Sequence, residues 1–191
     1  MTILPTRAAL TAAASAILPV LLLSGCAGGE QPAAGPSPSP MRTVPADLCD
    51  RIDYTLANPA FRKVMPIPPV DDDRGPGFRC SQGFFGGDGY AGGFVLVRVQ
   101  TFDSPGAART GFDRAARTST AQPFQGGSEI AADAVRYQEV SGDTRLEVLD
   151  SNVIMEVRLA APNPVSDEQA PKLGPASVQI ALQALELVRA S

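Results

Sequence analysis

The stretch VRYQEVSGDTRLEVLDSNVIMEVRLA, from Val135 to Ala160, decides the fold. Apolar and polar residues alternate in three runs, Val135 to Val140, Thr144 to Leu149 and Val153 to Ala160. The gaps between them are Ser141-Gly142-Asp143 and Asp150-Ser151-Asn152, whose residue types favour tight turns. Three strands so connected read as an antiparallel meander. Downstream, Val178, Ala181, Leu182, Leu185 and Val188 recur at helical spacing, so Pro175 to Arg189 reads as an amphipathic helix with this stripe against the sheet.

Upstream, Ser104-Pro105 supplies an N-cap and a proline at the first helical position, and Ala108, Gly111, Phe112, Ala115 and Ala116 continue a small-faced helix to about Thr118. Phe94 to Phe102 reads as a strand with Val95, Val97 and Val99 on one face and Phe94 and Leu96 beginning the other, both faces covered. Phe78, Cys80, Gln82 and Phe84 alternate with Arg79 and Ser81 in a further strand. Leu48, Ile52 and Leu56 recur every fourth residue in a first helix over Ala46 to Asn58, stopped by Asn58-Pro59. The predicted order α-β-β-α-β-β-β-α is an α+β fold, an antiparallel sheet of about five strands with three packed helices.

The amino end has a different character. Arg7 precedes an apolar run from Ala8 to Leu23, and Leu23-Ser24-Gly25-Cys26 ends it with small residues and a cysteine, the pattern of a bacterial lipoprotein signal. About 20 apolar residues are needed to span a bilayer, and this run is shorter and broken by Pro19. Residues 1–25 are therefore expected to be a signal peptide and Cys26 the site of lipid attachment, anchoring the protein to the extracytoplasmic face of a cell membrane. From Ala27 to Pro45 the chain is rich in Pro, Gly and Ser, with Pro-Ser-Pro-Ser-Pro at Pro36 to Pro40, and reads as a disordered linker whose Ser37, Ser39 and Thr43 could accept sugars. Residues 46–191 form the expected single folded domain.

With Cys26 assigned to lipid, Cys49 and Cys80 remain as a pair and are expected to form a disulfide. The competing reading is a redox or nucleophilic thiol; the 31-residue separation and the lack of a histidine to generate a thiolate weigh against it.

The chain holds 16 Lys and Arg against 20 Asp and Glu, with no histidine and no tryptophan. That excludes imidazole bases and His-ligated metals. The basic residues are scattered, so neither nucleic acid nor an anionic membrane surface finds a basic cluster. Gly87-Asp88-Gly89-Tyr90-Ala91-Gly92 matches a dinucleotide-binding pattern but leads into a strand rather than a helix, so no cofactor is expected. Asp71-Asp72-Asp73 opens like a calcium loop, yet Gly75, Pro76 and Gln82 stand where ligands and the turn glycine are needed, so no metal is expected either. Phe84, Phe85 and Tyr90, set among glycines, are the candidate ligand contacts, with packing onto the sheet as their alternative role. Glu139, Glu147 and Glu156 are the carboxylates available to a hydrolase.

The cysteine after Leu-Ser-Gly, the Pro/Ser stalk, the helix with Cys49, the strand with Cys80, Asp103-Ser104-Pro105 before a helix holding Ala108 and Phe112, the meander and the final amphipathic helix together resemble the small actinobacterial cell-surface lipoproteins grouped as a domain of unknown function. The resemblance covers nearly the whole exported domain and implies place and shape, with no established reaction. The expectation is a non-catalytic binding or accessory module for an envelope lipid, glycan or partner protein, recognised through the sheet edge and the loop from Gly83 to Gly93. Its alternatives are an envelope-polymer hydrolase using carboxylates and a structural subunit of a surface complex.

Overall fold

The computed structural model describes residues 40–61, 77–84, 92–117, 129–140, 142–161 and 165–191 in full, and the backbone alone at 63–64, 70–71, 85, 91 and 122–123. The signal segment, Cys26 and most of the linker lie outside the described residues.

Five long antiparallel strands carry the sheet: β3 (Phe78–Phe85), β4 (Ala91–Thr101), β6 (Ala134–Val140), β7 (Asp143–Asp150) and β8 (Val153–Ala160). They lie in the order β3, β4, β8, β7, β6, so the meander folds back to set β8 beside β4. Two-residue strands β1 (Lys63–Val64) and β2 (Val70–Asp71) pair with the outer edge of β3, and β5 (Gln122–Pro123) pairs with β6. The sheet edge expected to serve recognition is thus partly occupied on both sides. Among the described residues three α-helices complete the α+β fold, α1 (Leu48–Arg51), α2 (Pro105–Ala116) and α3 (Ala170–Arg189).

Alternation along each strand sorts the sheet into two unlike faces. Phe84 and Cys80 of β3, Val95, Val97 and Val99 of β4, Met155, Val157 and Leu159 of β8 and Leu146 and Val148 of β7 point to one side. They are buried against Leu173, Ile180, Ala181, Ala184, Leu185 and Val188 of α3 and against Leu48, Ile52 and Phe61 of the N-terminal segment. Among the described residues the other face is covered only at one end, where Ala108 and Phe112 of α2 pack on Leu149, Phe102 and Ile154. A Cβ at Gly111 would sit 3.1 Å from the Phe102 ring, so the glycine lets α2 lie this close. The cover expected on both faces of β4 is therefore partial, and Phe94 stays 37% exposed. The cap of α2 is as read, Ser104 Oγ accepting from the Ala107 amide at 3.2 Å.

Two helices depart from the expected bounds. The first is interrupted, because Ile52 turns extended (ψ 125°) and the Asp53 carboxylate accepts from the Thr55 amide, starting a separate 3₁₀ turn over Tyr54–Ala57. An aspartate that bonds its own neighbouring amides competes with a continuing helix, although Leu48 and Ile52 still face inward. The last helix begins at Ala170, five residues early, with Pro175 inside it and exposed. Pro175 sits in the second turn, where its missing amide removes a single intrahelical bond.

As expected, a disulfide joins Cys49 of α1 to Cys80 of β3, their Cα atoms 5.3 Å apart. A second fastening lies at the β7–β8 turn. Asp150 accepts from Arg42 Nε at 3.0 Å and from Arg189 Nη2 at 2.8 Å. Asn152 accepts from the Arg42 amide at 2.6 Å and donates to the Arg42 carbonyl at 3.2 Å. Burial pulls the Asp150 carboxyl toward a higher pKa, but the hydrogen bonds and charges of Arg189 and Arg42 outweigh it and hold the group below the usual carboxylate range. A carboxylate depressed in the folded state contributes stability above its unfolded pKa of about 3.9 and loses it as pH falls through the lower folded value. Arg189→Met is therefore less stable than the parent at pH 7, and the gap narrows below about pH 4, as urea melts at both pH values will show.

Candidate functional site

Tyr137 of β6 points to the α3 side of the sheet, opposite Leu146, and meets the start of that helix. The approach is close, since a Cβ on Gly174 would come within 2.8 Å of the Tyr137 hydroxyl. Beside this contact a groove of about 730 Å³ opens between β6 and α3, with Tyr137, Ala170, Pro171, Pro175 and Val178 as its apolar wall. Glu129, Glu139 and Gln179 supply its polar lining, and all three are exposed. Tyr137 donates to Glu139 Oε2 at 2.8 Å. Burial first, then the Glu139 hydrogen bond and charge, push the tyrosine hydroxyl well above its ordinary pKa, so it remains a donor.

The opposite face is polar. Its cross-strand register aligns Arg98, Glu156, Glu147 and Arg136 in one row and Leu96, Arg158, Arg145 and Gln138 in the next. Arg136 Nη2 lies 2.7 Å from Glu147 Oε2, both side chains under 10% exposed. Arg145 Nη2 reaches Glu147 at 2.8 Å and Glu156 at 3.2 Å. This bridging makes the directly opposed Glu147 and Glu156 compatible, since like charges facing across strands otherwise repel. Arg158 Nε donates to Asp143 at 2.9 Å, and the Arg136 guanidinium stacks 3.7 Å above the Phe112 ring.

Phe84, expected as a ligand contact, is fully buried and stacks on Phe61 with ring centroids 4.7 Å apart. Its alternate position on β3 turns it inward, and opposite it Gly93 (φ +147°) has no side chain to collide with Phe61. Phe84 is thus a core residue. Phe85 ends β3 and its side chain lies outside the described residues, as does Tyr90. Asp72, Asp73 and Gly87 to Gly89 lie outside them too. Among the described residues no group of three or more His, Cys, Asp or Glu could hold a metal ion, and no helix is long and apolar enough to cross a membrane. The three candidate carboxylates are divided by the sheet, Glu139 beside the groove and Glu147 and Glu156 on the arginine-rich face.

Neither the apolar groove nor the polar face was picked out from the sequence. Outward Arg and Glu positions on each strand were readable, but which of them stand opposite one another depends on a register that local pattern does not carry. No family model matches this chain, and no curated protein is similar to it.

Proposed function

We propose that the protein is a lipid-anchored, non-catalytic binding module on the extracytoplasmic face of a cell membrane, holding the apolar chain of an envelope lipid in the groove between β6 and α3. The groove carries this reading. Its volume of about 730 Å³ lies within the range of small-molecule sites, roughly 300 to 1,000 Å³, and such sites combine apolar walls with a few placed polar groups. Here the walls are Pro171, Pro175, Val178 and the Tyr137 ring, while Glu129, Glu139 and Gln179 offer partners to a headgroup. Anchoring rests on Leu23-Ser24-Gly25-Cys26, and the Cys49–Cys80 bond suits a compartment that lacks a thiol-reducing pool. The want of histidine and the separation of Glu139 from Glu147 and Glu156 support binding over turnover.

The experiment has two readings on one preparation. Cys26→Ser moves the full chain from the membrane to the soluble fraction, and native mass spectrometry of the released protein finds a co-purifying lipid. Ala170→Trp, which places an indole in the groove wall, lowers its occupancy about tenfold without changing the melting curve. Continued membrane retention of Cys26→Ser overturns the anchor, and an empty groove in the released protein overturns the ligand.

A further inference from the structure

We propose that the polar face of the sheet is a second binding site, independent of the groove, for a neutral hydroxyl-rich ligand, one or two sugar units of a glycan. Two adjoining cavities of about 250 Å³ each lie on this face and share Arg145 and Glu156. One is bounded by Arg98, Arg136 and the α2 residue Phe112, the other by Asp143 and Arg158. Both lie on the side of the sheet away from Tyr137 and the groove, because Arg136 and Gln138 alternate with Tyr137 along β6.

The charge balance selects the ligand. Arg98, Arg136, Arg145 and Arg158 stand against Asp143, Glu147 and Glu156, and all but Arg98 are engaged with one another, so the face carries an excess of one positive charge with three carboxylates set among its guanidinium groups. Hydrogen-bonding capacity, in contrast, is left over on both sides. Arg136 Nε and Nη1 and Arg145 Nε are buried donors, and Glu147 Oε2 a buried acceptor, without a hydrogen-bond partner among the described residues. The 2.7 Å contact of Arg136 Nη2 with Glu147 Oε2 is an ion pair by distance that misses hydrogen-bond angles. Arg98, half-buried and opposite Glu156 in the register, makes no ion pair among the described residues, since Glu156 leans toward Arg145.

A phosphate or carboxylate satisfies donors only and meets the carboxylates of Glu147 and Glu156; an ammonium group does the reverse. A sugar hydroxyl donates and accepts at once, which matches free guanidinium donors set among carboxylate acceptors. Phe94, exposed at one end and 5.5 Å from the Arg158 guanidinium, adds ring surface for the apolar face of a pyranose. A protein partner fits less well, because the centre of a protein interface is depleted of charged side chains.

The test titrates the full chain with glucose, galactose, mannose, N-acetylglucosamine and their disaccharides, and in parallel with sodium phosphate. It follows the arginine side-chain Nε–H signals by NMR and the affinity by calorimetry. At least one saccharide is expected to shift the Arg98 and Arg145 signals saturably. Arg98→Ala weakens that binding about tenfold, the size of a lost charged hydrogen bond, while Ala170→Trp leaves it unchanged. Arg98→Gln serves in its place if the alanine variant melts early. Phosphate shifting Arg98 where no saccharide does, silence from every probe, or unaltered affinity in the Arg98 variants overturns the proposal. Loss of saccharide binding in Ala170→Trp means that the sugar sits in the groove, which also overturns it.

Discussion

Phe84→Ala destabilises the domain by about 3 to 5 kcal/mol, the range for deleting a buried aromatic ring from a close-packed core. The ring is fully buried, stacks on Phe61 at an interplanar angle of 25°, and faces Gly93 across the β3–β4 pair. Relaxation into the space left behind is limited, because Phe61 is itself buried against a backbone that allows no side chain at Gly93. In a domain of this size the melting temperature falls by roughly 10 °C or more. A residue that only touched a ligand would leave the melting curve in place, so calorimetry of the variant separates the two roles. Phe61→Ala costs a similar amount, and the double variant costs less than the sum, since both single changes remove the same stacked pair.

Cys49→Ser is expected to act nearly as strongly by another route. Closing a loop across 31 residues removes conformational freedom from the unfolded chain, worth about 3 to 4 kcal/mol on the chain-entropy estimate. Both cysteines are buried, so serine also places a hydroxyl in an apolar setting at α1. A melting temperature lower by roughly 10 °C is predicted. Reduction of the parent protein with a strong thiol should reproduce most of that fall, whereas Cys49→Ser itself becomes insensitive to reductant. An unchanged curve in both measurements would mean that α1 is held by packing alone.

The meander was legible because Val135, Leu146, Val148, Met155 and Val157 sit at alternate positions among mostly polar neighbours, Ala134, Leu149 and Ile154 excepted, and the turns between the runs are short. Alternation also marks which residues share a face, and it placed Val95, Val97 and Val99 together correctly. What it does not carry is pairing between strands distant in sequence. That β8 returns to β4 across α2 is set by the fit of the whole core, and with it the row of Arg98, Glu156, Glu147 and Arg136. The groove was hidden for a related reason. Pro175 read as the start of the last helix, whereas α3 begins at Ala170 and uses the missing Cβ of Gly174 to approach Tyr137. Phe84 was ambiguous in the sequence, because an aromatic beside glycines can reach solvent in a loop, although isolated aromatics more often pack onto the sheet.

The fastening of Arg42 to Asp150 and Asn152 also has a mechanical meaning. Any tension arriving along the chain ahead of Pro40 would meet Arg42, and through it the β7–β8 turn, before it reached α1 or the disulfide. Because Arg189 grips the same carboxylate, a load arriving at Arg42 would be shared between the β7–β8 turn and the end of α3 before it reached the short helix α1.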